Sequence, residues 1–281
     1  MSGAVQAGWA PPTGPPEPAP TRGWPRWLLA ATVLWAVLLG ALTWWSVRHD
    51  PPTVREQRTL AEAGPVVDRA LGQLVAATGD GAWELAAPRL DRGCRVTPMD
   101  DGATLVRDLD VVVADGGERA LLEAIAGRLP ADWRAGVHPS SNGPRLRADA
   151  GEFVAVQGRV VSPGRVRLTA DSGCRPDDVE YATLLPGYPG EPTLDEALRA
   201  LGRPAGTPPE QVVAPCPGGG VARTAWVAAG PAPVSLAGLK PLAAGVAVVD
   251  TPEVYAYRRG AVVVLADATG EQVRVSASTG C

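Results

Sequence analysis

The sequence predicts an α+β protein in which a single N-terminal transmembrane helix is followed by two related small disulfide-clamped α+β units. Three observations predict this. Residues 27–47, WLLAATVLWAVLLGALTWWSV, contain 21 consecutive positions without a charge, and at 1.5 Å per residue they make about 30 Å of helix, the thickness of a hydrocarbon core. All four cysteines, Cys94, Cys174, Cys216 and Cys281, follow that stretch. Two nine-residue segments also repeat: VRLTADSGC, ending at Cys174, and VRVSASTGC, ending at Cys281, agree at five positions and exchange only Leu for Val or Thr and Ser for one another at three more.

Residues 1–26 include PPTGPPEPAP. Proline fixes φ and removes a donor, so this segment reads as a disordered proline-rich tail on the cytoplasmic side. Trp24 and Trp27 stand at one boundary of the apolar run and Trp44 and Trp45 at the other, where indole rings favour headgroup depth. The run is longer than the apolar core of a cleaved signal and ends in tryptophans rather than small residues, which favours a retained anchor. A secreted protein with a cleaved N-terminal signal is the alternative.

Residues 51–93 read as a juxtamembrane helical region. In PVVDRALGQLVAATG, Val66, Ala70 and Leu74 form one stripe with Val67, Leu71 and Val75 beside it, and Asp68 and Arg69 fall on the side expected to be solvated. The first α+β unit spans 94–174. It is expected to hold a strand at LVRDLDVVV, a helix at GERALLEAIAGRLP with Leu121, Ile125 and Leu129 on one face, and a hairpin turning at Ser162-Pro163-Gly164. A connector, 175–215, carries a short helix for which Thr193 and Glu196 form an expected capping box. The second unit, 216–281, should contain a strand at VARTAWVAAG, a weak helix at LAGLKPLAAG, and strands at VAVVD, EVYAYRR, AVVVLA and QVRVSA. EFVAV (152–156) is aligned with EVYAY (253–257) in this reading.

Duplication makes the cysteine pairing specific: Cys94 with Cys174 and Cys216 with Cys281, each bridge closing its own unit. Loops of that length would contribute roughly 4 kcal/mol per bridge in the chain-entropy description. Disulfides belong to oxidising compartments, so the C-terminal bulk is expected outside the cytoplasm. Arg48, Arg55 and Arg58 after the helix, against Arg22 and Arg26 before it, argue weakly for the opposite orientation; the cysteines outweigh them.

From residue 51 onward, 28 acidic and 23 basic residues give a formal charge of -5, which opposes nucleic-acid binding. Cysteines 80, 42 and 65 positions apart, with only His49 and His138, do not match the close ligand pairs of structural zinc. No cofactor or catalytic residue is expected. Asp108 and Asp110 share a strand face and read as solvated. His138 in GVHPSSNGP lacks a nucleophile elbow nearby. Tyr255 and Tyr257, followed by Arg258 and Arg259, suggest a partner-binding surface because residues two apart on a strand share a face.

These features point to a bacterial-type, single-pass cell-membrane protein whose extracytoplasmic region is a non-enzymatic binding or assembly module of the envelope. Its expected partners are the lipid bilayer, through 27–47, and an envelope protein or polymer of unspecified identity. An extracytoplasmic hydrolase with a site built from loops of both units is the opposing reading.

Overall fold

The computed structural model describes residues 26–49, 58–176, 181, 191–203, 208–232, 235–243 and 247–281. The expected disordered tail lies outside these residues. The chain divides into two compact units, Met1–Pro51 and Pro52–Cys281.

In the first unit, helix α1 (Arg26–His49) is long and apolar enough to cross a membrane, with a mean hydropathy of 1.9 over Arg26–Ser46. The Thr32 hydroxyl donates back to the Leu28 carbonyl at 3.0 Å, so a polar group within the apolar stretch is internally satisfied. Near its C-terminal end the Arg48 guanidinium lies 4.8 Å from the centroid of the Trp44 ring.

The second unit contains two antiparallel sheets. Helix α2 (Leu60–Thr78) opens it five residues earlier than its proline suggests, because Thr59 and Glu62 form a reciprocal capping box and Pro65 is carried inside the helix. There follow β1 (Ala82–Leu85), β2 (Arg89–Arg95), β3 (Asp101–Val112), α3 (Glu118–Arg128), β4 (Gly136–His138), β5 (Arg145–Asp149), β6 (Ala155–Ser162) and β7 (Arg165–Asp171). The remaining elements are α4 (Pro192–Ala200), β8 (Glu210–Pro215), β9 (Val221–Pro231), a 3-10 helix (Leu236–Ala243), β10 (Ala247–Asp250), β11 (Val254–Arg259), β12 (Val262–Asp267) and β13 (Gln272–Thr279).

The repeat seen in two nonapeptides extends to the topology. Sheet A has the order β2-β3-β7-β6-β5-β4, with β1 continuing the β2 edge, and sheet B has the order β8-β9-β13-β12-β11-β10. Registers agree as well: Leu109 faces Leu168 and Val106 faces Asp171 in sheet A, as Val227 faces Val275 and Thr224 faces Ser278 in sheet B. The repeated nonapeptides lie at equivalent places, in and just beyond β7 and β13. EVYAY, however, falls in β11, whose counterpart is β5, whereas EFVAV leads into β6; that sequence correspondence is corrected by one strand.

Disulfides join Cys94 to Cys174 and Cys216 to Cys281. Each ties the strand on one side of β3 or β9 to the end of the strand on the other side, β7 or β13.

Each sheet has one helical face. In sheet A, Leu105, Leu109, Val111, Val156, Val166 and Leu168 form a core with the α2 and α3 side chains. In sheet B, Val227, Val264, Val275, Tyr255 and Tyr257 pack with Leu194 and Leu198 of α4 and Leu236 and Leu239 of the 3-10 helix. A third, smaller cluster joins the opposite faces: Ala82 and Val112 of sheet A meet Val249, Ala256, Val263 and Leu265 of sheet B. Helix α4 is capped differently from expectation. Its N-cap is Glu191, without a side-chain cap bond, and Thr193 lies within its first turn after Pro192.

Helix α2 also touches the second repeat. Its Gly72 lies against the end of β8, where a Cβ would collide with the Pro215 carbonyl, and the sulfur of the disulfide-bonded Cys281 lies 3.8 Å from the Gly72 carbonyl oxygen. In an ordinary helix interior, glycine to alanine gains about 1 kcal/mol. Here Gly72→Ala is expected to lose roughly 1–3 kcal/mol through overpacking, read as a lower urea midpoint for the full chain in detergent micelles.

Candidate functional site

Apart from Arg107, which faces α2, the charges at the centre of sheet A lie on the face away from that helix, and the strand registers set them in rows. One row runs His138, Arg145, Arg159, Arg167, Asp110, Glu84 across β4, β5, β6, β7, β3 and β1. The next includes Arg147, Gln157, Thr169 and Asp108. The acidic end is buried under sheet B, and the basic end is open.

At the buried end, Glu84 and Asp110 stand directly opposite on adjacent strands, an arrangement of like charges that is unfavourable alone. Arg167 satisfies Asp110 through two bonds of 2.7 and 2.8 Å, and Arg274 donates to Glu84 at 3.1 Å while its guanidinium lies 3.6 Å from the Trp226 ring centroid. Arg167 and Arg274 are the same position of the repeated nonapeptide, one in each sheet. The Asp110 hydrogen bond, only partly offset by burial, raises the Arg167 pKa. Asp108 is held by Arg89 at 2.8 Å and Thr169 at 2.6 Å. Asp108 and Asp110 are therefore buried and paired, not solvated as their spacing suggested.

Asp68 needs the same correction. It is buried in α2, ion-paired with Arg107 of β3 and hydrogen-bonded by Tyr181 at 2.9 Å, while Arg107 also donates to the Val213 carbonyl of β8 at 2.6 Å. Burial raises the Asp68 pKa despite those partners, and raises Tyr181 to about 12.

Beside the buried ionic cluster lies a groove of about 800 Å³ between the two sheets. One wall is the end of β3 and the β6–β7 turn, including Val112, Val113 and Arg165; the other is β10 and the turn into β11, including Val249, Thr251 and Val254. Gly164 makes the first wall: its φ is +69°, and a Cβ there would lie 2.8 Å from the Val113 carbonyl. Its N–H donates to Glu118 at 2.7 Å, and such backbone bonds, that from Gly164 first, lower the Glu118 pKa. Arg165, which lines the groove, is ion-paired across the sheets with Asp267 of β12. The groove offers valine surface and main-chain groups, with Asp115, Asp250 and Glu253 also lining it.

The expected contact residues do not form one surface. Tyr255 and Tyr257 are 3% and 0% exposed and belong to the core beneath α4 and the 3-10 helix. Burial raises both phenol pKa values, that of Tyr257 to about 12. Arg258 points to the opposite face and donates to the carbonyls of Gly79 and Gly81, both at 3.2 Å, supplying a cation at the end of α2, whose own last turn has no basic residue. Arg259 pairs with Glu196 of α4. The four cysteines are all bonded. His138 is exposed at the end of β4, and the nearby Ser140 hydroxyl donates to Gly143 at 2.6 Å. Among the described residues no group of three or more His, Cys, Asp or Glu side chains could hold a metal ion. Sequence reasoning missed the groove because β10 is only four residues long and the opposing turn is some 85 positions away; Gly164 was its one local signal.

Burial raises the Asp267 pKa, but bonds from Thr269 and the Arg165 charge outweigh it and leave the carboxyl below its ordinary value. A depressed folded-state pKa contributes stability that is complete above the ordinary carboxylate value of about 4 and is lost as pH falls through the folded value. Asp267→Asn should therefore cost roughly 1–3 kcal/mol at pH 7, with the gap from wild type closing below about pH 4, measured by denaturant titration at each pH. No family model, curated protein or solved structure matches this chain.

Proposed function

We propose that the protein is a single-pass, membrane-anchored, extracytoplasmic binding or assembly module of a cell envelope, non-enzymatic, with disulfide-closed cores at 94–174 and 216–281. The observation that carries this reading is the groove bordered by β10, the last strand of sheet B. An outer strand offers main-chain donors and acceptors to an added strand, and the flanking valines offer shallow apolar pockets. The recognised material is then an extended segment of an envelope protein or polymer.

The anchor supports the location, since α1 has the length and composition to span a bilayer. Both disulfides lie after it in the chain, which supports placement of that part in an oxidising compartment. Duplication supports an assembly role: two sheets of equal topology form one compact unit, leaving the outer edge of β10 beside a groove instead of enclosing a small cavity.

Two measurements test the proposal. A membrane-impermeant thiol reagent on intact cells should label the protein only after reduction; labelling only in lysed cells, with or without reductant, contradicts the orientation. A photoreactive residue at Thr251 should give a discrete adduct in intact cells, whereas one at Arg199 on α4 should not. Equal yields at the two positions contradict a binding groove.

A further inference from the structure

The uncovered half of the charged face of sheet A carries an array of arginines. Arg145 on β5 stands opposite Arg159 on β6, which stands opposite Arg167 on β7, and Arg147 shares their face. Arg167 is committed to Asp110, but Arg145, Arg147 and Arg159 have no hydrogen-bond or ion-pair partner among the described residues. His138 continues the row at the β4 edge. Three like charges on neighbouring sites repel one another, and among the described residues no carboxylate pairs with them. Guanidinium groups in such an array match phosphate oxygens.

The tip of the same hairpin adds a second, independent observation. Gly151, Glu152 and Phe153 all have positive φ, at 81°, 53° and 63°. For Glu152 and Phe153 this is a disfavoured conformation. It is secured by Arg175, which donates to the Glu152 carbonyl at 2.9 Å. Its result is a phenyl ring 45% exposed, belonging to the single phenylalanine of the sequence. The β2–β3 turn, at the same end of sheet A on the far side of β7, holds Met99, 91% exposed. An apolar side chain at the tip of a basic hairpin is the arrangement of an interfacial membrane contact.

The position of this tip in the chain identifies the partner. Arg58 is ion-paired with Glu152 at 2.8 Å, and Leu60 donates to Pro176 at 3.2 Å, so the chain enters the sheet unit beside the Phe153 turn. Only residues 50–57 separate Arg58 from the end of α1. Eight residues reach at most about 30 Å, so chain length alone gives a lipid-binding face near this entry point a high effective concentration at the bilayer. Nearby carboxylates are engaged: Glu152 by Arg58 and Asp149 by Arg134 at 3.5 Å.

We propose that the β5–β6 hairpin is a membrane-docking face, with Arg145, Arg147 and Arg159 binding the phosphates of anionic lipid headgroups and Phe153 entering the interfacial layer. This rests on the anchor assigned to α1 and goes beyond it, because the hairpin itself contacts the headgroups when the bilayer is anionic.

Arginine footprinting tests it, first on the unsubstituted chain. The full chain is reconstituted into nanodiscs of phosphatidylcholine, or of phosphatidylcholine with about one-third phosphatidylglycerol. It is then treated with phenylglyoxal and read by peptide mass spectrometry. Anionic discs should slow modification of Arg145, Arg147 and Arg159 at least about threefold, with high salt removing the effect, while Arg199 on α4 reacts equally in both. Equal rates at all four arginines overturn the docking. Protection by soluble polyphosphate in zwitterionic discs, without protection by anionic discs, overturns it in favour of a soluble polyanion. A chain that fails to enter discs overturns the anchor and the docking together, which separates that failure from the others. Phe153→Asp in anionic discs should restore at least half of the lost reactivity; an unchanged footprint removes Phe153 from the contact and overturns the proposal as stated.

Discussion

Two carboxylates placed directly opposite each other, Glu84 and Asp110, are the constraint on which the arrangement of the sheets depends. Neither is solvated enough to be left alone, and like charges at that separation in a partly dry interface are costly. Sheet A supplies one arginine, Arg167, and sheet B supplies its repeat equivalent, Arg274. Charge balance is thus reached only when the second sheet covers the end of the first. The apolar contacts of Ala82 and Val112 with Val249, Ala256, Val263 and Leu265 then fill the space around the ion pairs. Small and hydroxyl residues on the covering face, Ala256, Thr224 and Ser278, let β1 approach closely enough for the Leu85 N–H to reach the Thr224 hydroxyl at 2.9 Å.

The duplicated fold is used asymmetrically as a result. An equivalent arginine in each sheet serves carboxylates that exist only in the first, since the positions in β9 matching Asp108 and Asp110 are Trp226 and Ala228. Covering one end of the sheet A face leaves its other end, with Arg145, Arg147 and Arg159, open. The groove forms at the boundary, where the β6–β7 turn faces β10. Buried acid, groove and exposed base are three consequences of one partial overlap.

The elements legible in the sequence were those encoded locally. The charge-free run of 21 residues gave α1, the repeated nonapeptides gave β7 and β13, and duplication gave the disulfide pairing. Short elements escaped. β4 and β5 flank a Pro- and Gly-rich turn that reads as one loop, and β8 follows a proline pair. The tyrosines of β11 could not be assigned to a face, because period-two patterning does not say which side a helix will cover; α4 covers theirs. Asp68, Asp108 and Asp110 looked solvated because their burial depends on Arg107, Tyr181, Arg89 and Arg167, distant in sequence by 19 to 113 positions. The arginine face was hidden similarly, since it requires the pairing of three strands, one of them unrecognised.

A double-mutant cycle across the sheets tests the central claim most directly. Glu84→Gln, Arg274→Met and the double variant, each in the full chain, are compared by urea unfolding at neutral pH. If Arg274 balances the charge that Glu84 and Asp110 bring together, the cycle gives a favourable coupling of about 1 kcal/mol or more, and the double variant is less destabilised than the sum of the singles. Additivity within about 0.3 kcal/mol would contradict the account, because the two sheets would then be held by apolar contact alone.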